Sequence, residues 1–192
     1  MDPKAYWVGS NYFKGIGAFR TRVILDHFGD LETAWHAPID GFAEIGIPPK
    51  TPENIQQTRN QLNLEKICAN LATKGIELIS WENEIYPRRL KEVDQLPPVM
   101  FVRGEIKVED DWAVAIVGTR RMTVYRRQVT EDPAIFLATN GVTVVSGLDQ
   151  GADFTAHSFA LKNCEHTVAV LGCGVDQIYP PEKRKLNEEI CP

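Results

Sequence analysis

No segment of this 192-residue chain approaches the roughly 18 apolar residues that a membrane helix requires, because Lys, Arg, Asp or Glu interrupts every hydrophobic stretch. A basic-then-apolar leader is also missing, so a soluble protein of the cytoplasm is expected. Cysteine is scarce. Cys68, Cys164, Cys173 and Cys191 are scattered without a Cys-x-x-Cys pair, which points away from a zinc site or a disulfide framework and towards reduced thiols. Positive charge is in deficit as well: 21 Lys and Arg face 26 Asp and Glu, for a net charge of −5. A nucleic-acid binder usually carries the opposite sign, so any cationic surface must be gathered locally. The Gly-x-Gly-x-x-Gly fingerprint of dinucleotide binding is absent too, since one glycine follows the first apolar run, and a plain NAD site is disfavoured.

What the chain does have is a repeated unit of apolar run, glycine turn and helix. Ala113-Val114-Ala115-Ile116-Val117 stops at Gly118-Thr119-Arg120-Arg121; Val144-Val145 stops at Ser146-Gly147; Thr167-Val168-Ala169-Val170-Leu171 stops at Gly172-Cys173-Gly174. Such repeats line backbone N–H groups and positive helix ends along one edge of a parallel sheet, an edge that attracts phosphate. The run Ala113 to Val117, apolar on both faces, is expected to be a buried parallel strand. Gly118 lets a phosphate approach the backbone, Thr119 offers a hydroxyl, Arg120 a forked cation, and the following helix its first amides. Ser146 and Gly147 repeat the layout beside it, and the two neighbouring turns form one pocket. Local positive charge gathers in Arg120, Arg121, Arg126 and Arg127, and again in Lys183, Arg184 and Lys185; taken alone, either cluster also suits a solvated helix face.

The first third, residues 1–74, is helical in pattern. Phe13 to Arg20, with Lys14, Gly15 and Gly17, precedes a helix over Thr21 to Phe28 that ends at Gly29. A Gly-Ile-Gly turn between helices is the helix-hairpin-helix arrangement, whose amides can grip a phosphate without reading bases. Packing of a small helical domain accounts for it equally well. A second echo, Ala43 to Lys50, leads into a helix expected from Pro52 to Leu71. Residues 75–111 form a connector with strands at Ile76 to Ser80 and Val99 to Arg103, expected to add edge structure to the later sheet, and residues 112–192 hold the core unit.

Several groups invite chemical readings. Asp149, Asp153 and His157 are spaced by four and would share a face of a continuous helix, where they suit a metal or acid/base chemistry. The preferred alternative has Asp153 capping the helix start and bonding His157 one turn on. Ser146 lacks the Gly-x-Ser-x-Gly elbow of a nucleophile. Cys173 reads as a small buried residue, and Trp7, Trp35, Trp81 and Trp112 as core anchors. Neither a catalytic residue, a metal nor a cofactor is therefore assigned. Pro133 is expected either to cost an interior hydrogen bond of the helix after Gly118 or, with Asp132 as cap, to start a second short helix.

Ile116-Val117-Gly118-Thr119-Arg120-Arg121 with Tyr125, then Ser146-Gly147-Leu148, Gly151-Ala152-Asp153 with Ala156-His157, and Val168 to Asp176 with Tyr179-Pro180 resemble the DNA-processing protein A (DprA, or Smf) family. Tyr86-Pro87, Leu96-Pro97-Pro98 and Arg103-Gly104 extend the likeness upstream. The resemblance implies an α/β protein in which a Rossmann-like parallel sheet follows an all-helical, helix-hairpin-helix (SAM-like) domain. It also implies a non-catalytic, cytoplasmic binder of single-stranded DNA that assists loading of the RecA recombinase in natural transformation, as a homodimer and away from membranes. The implied phosphate site is Gly118, Thr119, Arg120, Arg121, Ser146, Gly147 and Gly151, with Arg126, Lys14, Gly15, Gly17, Asp153 and His157 as further candidates. Where the family pattern has Ser-Gly-x-Ala-Arg-Gly-x-Asp, this chain has Asp149 and Gln150, both unfavourable to DNA. The family's sheet also continues past Tyr179-Pro180, so the sheet here is expected to be incomplete and its open edge to cause self-association or instability. A nucleotide enzyme or sensor using the same pocket, with Asp153 and His157 near a ribose, is the alternative.

Overall fold

The computed structural model describes residues 2–48, 50–164, 166–177 and 184–191. They fall into two compact units, 1–101 and 102–192. The first unit contains α1 (Lys4–Asn11), α2 (Ala18–Phe28), α3 (Leu31–His36), α4 (Asp40–Glu44), α5 (Lys50–Gln61) and α6 (Leu64–Thr73), followed by β1 (Ile76–Ser80) and β2 (Val99–Arg103), which crosses the boundary. Its core gathers Tyr6, Trp7, Ile24, Trp35, Phe42 and Ile55. The Phe13 ring stacks on Trp35 with centroids 5.4 Å apart. Arg59 lies over the Phe42 ring and donates to the carbonyls of Ala34 and Ala37, at 2.6 and 2.8 Å, so it supports the end of α3, where among the described residues the Ala34 carbonyl has only a 3.3 Å bond from the Ala37 N–H besides.

Three details differ from the sequence reading, each for a local reason. α2 begins at Ala18 because extended Gly17 stands at its N-cap. The expected Pro52 to Leu71 helix is two helices: Asn63 turns extended and its side chain accepts from the Lys66 N–H at 2.8 Å, which starts α6 afresh. β1 and β2 occupy the expected residues but pair as a separate two-stranded sheet, not as an edge of the later one. Leu78 of β1 and Val99 of β2 are buried in the helical core, which groups the connector strands with the helices, whereas composition drew the line at 74/75.

The second unit holds β3 (Ala113–Ala115), α7 (Val124–Thr139), β4 (Thr143–Ser146), α8 (Ala152–Cys164), β5 (Val168–Ala169) and α9 (Arg184–Ile190). β3, β4 and β5 form a parallel sheet in that order, with Val114 opposite Val144 and Val145 opposite Val168. The chain is thus a Rossmann-like α/β unit plus a helical unit. Small side chains set the helix layer: Ala134 and Ala138 of α7 and Ala156 and Ala160 of α8 are each a turn apart and buried around Val144. That spacing lets two helices approach one strand closely.

The first strand departs from expectation. The run is not buried on both faces: Val114 in β3 is 43% exposed and Val117, two residues past its end, 76%. β4 is its neighbour on one side only among the described residues, so its side chains lack the second flank that buries a central strand. Pro133 does not divide α7, which runs unbroken from Val124 to Thr139 with the proline exposed. A ring on the solvent side costs one backbone bond without meeting the core. Trp7 and Trp35 are core anchors and Trp81 packs edge-on against Trp7, but Trp112 is 71% exposed. Cys173, expected to be buried, is exposed, because its glycine-flanked turn lies beyond the end of β5.

Candidate functional site

A parallel sheet brings the C-terminal ends of its strands to one edge, and there the turns after β3 and β4 meet. Ser146 is 3% exposed, and its hydroxyl donates to the Ile116 carbonyl at 2.6 Å and ties the two strand ends together. Gly118 lies so close to the start of α8 that a Cβ there would stand 2.7 Å from the Ala152 Cβ. The Ala152 N–H donates to the Thr119 carbonyl at 3.1 Å. Gly151 completes the fit. It has φ +82°, and a Cβ on it would fall 2.3 Å from the Thr119 oxygen. The first turn therefore rests directly on the helix start, and residues with little or no side chain make that approach possible.

The second turn is held from within. The buried Asp153 carboxylate accepts from the N–H groups of Gly147 and Asp149, at 3.2 and 3.3 Å. Leu148 between them is buried and takes φ +57°, a left-handed conformation rare outside glycine. This geometry changes the expected pocket. The Gly147 amide already has an anionic partner, the Ser146 hydroxyl is committed to Ile116, and the first α8 amide is taken by Thr119. Thr119 is itself folded back, its hydroxyl 3.2 Å from both the N–H and the carbonyl of Arg121.

What stands outward is cationic. Arg120 is 74% exposed in its side chain and bonds Asp149 Oδ2 through Nε at 3.1 Å and Nη2 at 2.7 Å. Arg121 and Arg126 are exposed, and neither makes an ion pair among the described residues. Arg127 pairs with Glu131 one turn on, at 3.9 Å. The Arg126 N–H is held by Thr123 Oγ1, which caps α7 and leaves the guanidinium for solvent. Lys14, Gly15 and Gly17 belong to the other unit. There the Lys14 N–H donates to Asn54 Oδ1 at 2.8 Å and Arg20 donates to the Gly15 carbonyl. Tyr179-Pro180 and Lys183 lie outside the described residues.

Asp149, Asp153 and His157 do not share a helix face, because α8 starts at Ala152 and Asp149 sits in the turn before it. Nor does Asp153 bond His157. Fully buried His157 meets Thr167 Oγ1 at 2.9 Å through Nδ1, while Thr167 gives its one hydroxyl proton to the Val144 carbonyl at 2.5 Å. Nδ1 therefore carries the ring proton and Nε2 is a buried acceptor without a hydrogen-bond partner. Burial lowers the imidazole pKa to about 4, against the opposing pull of the Asp153 charge and the Ser146 backbone. A neutral histidine of this kind ties α8 to β4 and the start of β5. Among the described residues no group of three His, Cys, Asp or Glu is placed to hold a metal ion, and no helix is long and apolar enough to cross a membrane.

Sequence reasoning missed the partners more than the positions. The Arg120–Asp149 contact spans 29 residues and leaves no local periodicity. The small pair Gly118 and Ala152 was the available signal that the two turns touch.

Comparison with known proteins agrees with this architecture. Protein Smf of Synechocystis is 35% identical over 97% of this chain and 48% of its own length. The X-ray structure of DNA processing protein A from Streptococcus pneumoniae superposes with TM-score 0.76 at 24% identity, covering 97% of this chain and 64% of that one, a likeness of fold. DNA processing protein A from Helicobacter pylori, described for its single-stranded DNA binding mode, gives TM-score 0.52 at 34% identity over 60% of this chain and 52% of that one. The chain spans about half the length of the Synechocystis relative. The family of DNA recombination-mediator protein A matches residues 77–192, from β1 through the Gly118 and Gly147 turns, and this chain belongs to it.

Proposed function

We propose that this chain binds single-stranded DNA by its phosphate backbone at the Gly118 turn, in DNA processing for natural transformation. The observation that carries the reading is the exposed Arg120 guanidinium, presented by a turn whose backbone is fixed on the start of α8. Arg121, next in the chain, and Arg126, six residues on, add charge, so the local sign is positive although the net charge is −5. Gly118, Ser146, Gly147 and Gly151 serve as the frame that holds this corner, and Thr119 fixes its shape. Lys14, Gly15 and Gly17 offer a second, sequence-independent phosphate contact in the helical unit. Family membership and the relative from Helicobacter pylori support DNA as the ligand. Assistance to RecA loading, action as a homodimer and a cytoplasmic location complete the proposal.

Contacts made through phosphate tolerate any base sequence and weaken steeply with salt. Titration of fluorescent oligo-dT at low and moderate salt should give salt-sensitive binding, reduced roughly tenfold or more by Arg120→Ala. Binding that is insensitive to salt or to that substitution rejects the reading. The nucleotide-enzyme alternative finds no support in the geometry. Asp153 and His157 are buried, and the Asp153 carboxylate is held by two backbone amides.

A further inference from the structure

The sheet edge that would receive a phosphate is already furnished with carboxylates from this chain. Asp153 fills the amides of the second turn from a buried position. Asp149 engages Arg120 from a half-exposed one, with two nitrogens of the guanidinium within 3.1 Å of one carboxylate oxygen. The two are not equivalent. Removing Asp153 would leave buried N–H groups unpaired, whereas the Arg120–Asp149 pair stands in solvent and is weakly held. Its position is nevertheless dictated by the backbone: the Asp149 N–H is fixed on Asp153, its carbonyl accepts from the Phe154 N–H at 3.0 Å, and left-handed Leu148 sets the turn before it.

We propose that Asp149 is an internal competitor for phosphate at Arg120 and so sets the affinity of this site for single-stranded DNA. The proposal rests on the Gly118 turn being the phosphate site. A DNA phosphate reaches the guanidinium fork by displacing the Asp149 carboxylate, and it then meets the repulsion of the displaced charge. Both effects weaken binding, and both are screened by salt. Asp149 is thereby an affinity-determining residue.

Asp149→Asn tests this while keeping the backbone bonds of residue 149, which do not depend on its side chain. The Asn variant should bind fluorescent oligo-dT about three- to fivefold more tightly than the unmodified chain at low salt, a gain that corresponds to an exposed ion pair. The gain should shrink as salt rises. In an Arg120→Ala background the same substitution should retain only a small fraction of its effect. An unchanged affinity in Asp149→Asn, or an equal gain with and without Arg120, would overturn the proposal in favour of no role or of a diffuse charge effect. The Arg120 Nε–H resonance supplies a readout that does not need DNA: it should shift in Asp149→Asn, and oligo-dT should move it in the unmodified chain. Failure of the underlying site is recognised separately, as oligo-dT binding that Arg120→Ala leaves unchanged, and that result overturns the proposal as well.

Discussion

Gly151 meets two constraints that no other residue type satisfies together: a left-handed backbone, and a carbonyl oxygen where its side chain would begin. Gly141 shares the first, with φ +72°, but has open space around it. The pair separates strain from contact. Gly141→Ala should cost on the order of 1 kcal/mol through conformation alone. Gly151→Ala should cost at least ~2 kcal/mol, since the Thr119–Arg120 backbone must also move. Thermal or denaturant unfolding gives the two values directly; equal losses would show that the close approach to Thr119 is unimportant. Gly151→Ala should in addition weaken oligo-dT binding, because the displaced segment carries Arg120. At this scale the sequence was readable for residue identity and opaque for partners. Gly118, Arg120 and Gly151 were legible as residues of the two turns, from glycines that punctuate apolar runs. That Ser146 points at Ile116, and Asp149 at Arg120, depends on how two strand ends abut across about 30 residues of chain.

Between elements, the joint of α8 with β4 and β5 is a chain of side-chain bonds from His157 to Thr167 to the Val144 carbonyl. Protonation would leave the Nδ1–H bond in place but put a charge at buried Nε2, so burial of the ring disfavours the charged form. His157 has its pKa lowered from 6.5 to about 4 in the folded protein, so the unfolded chain takes up the proton first as pH falls. The resulting stability is fully present above pH ~6.5 and is lost as pH drops towards 4, by ~3 kcal/mol in all. Denaturant titrations from pH 7 to pH 4 should show this loss, and His157→Gln should flatten the profile within that window even though the variant begins less stable. An identical pH slope in both proteins would refute the assignment, as would a ring that protonates near pH 6 by NMR. Elements were legible where period and punctuation agreed: β1 and β2 fall on their expected residues, and Gly29 ends α2. They were misread where tertiary contact decides: β1 and β2 answer to the helical core through Leu78 and Val99. Of the two outcomes open for Pro133, α7 takes the continuous helix, with that residue facing solvent.

At the scale of the whole molecule, the sheet of the second unit is unevenly covered among the described residues: Thr143 is buried, while apolar side chains past the strand ends stand in solvent. Val144 and Ile116 face the helix layer, so in the alternating pattern of a strand Ala115 and Val117 face the other way, as does Val170 beyond β5. Val117 is 76% and Val170 63% exposed, and β3 has a single neighbour among the described residues. A parallel sheet is stable when both faces are covered, and an apolar face beside an unpaired edge is a template for further chains. Hydrophobic exposure of this kind favours association roughly in proportion to the area removed from water, while the net charge of −5 opposes it only through long-range repulsion that salt screens. Self-association of this 192-residue chain should therefore strengthen with concentration and with added salt, the opposite of the salt response expected for DNA binding. Light scattering across a concentration series should report a mass that rises above that of one chain, and Val117→Lys, which places a charge among the exposed valines, should return it towards the monomer. A monodisperse monomer at all concentrations and salts would mean that this face is covered within the molecule, and that the exposed valines are not the site of association.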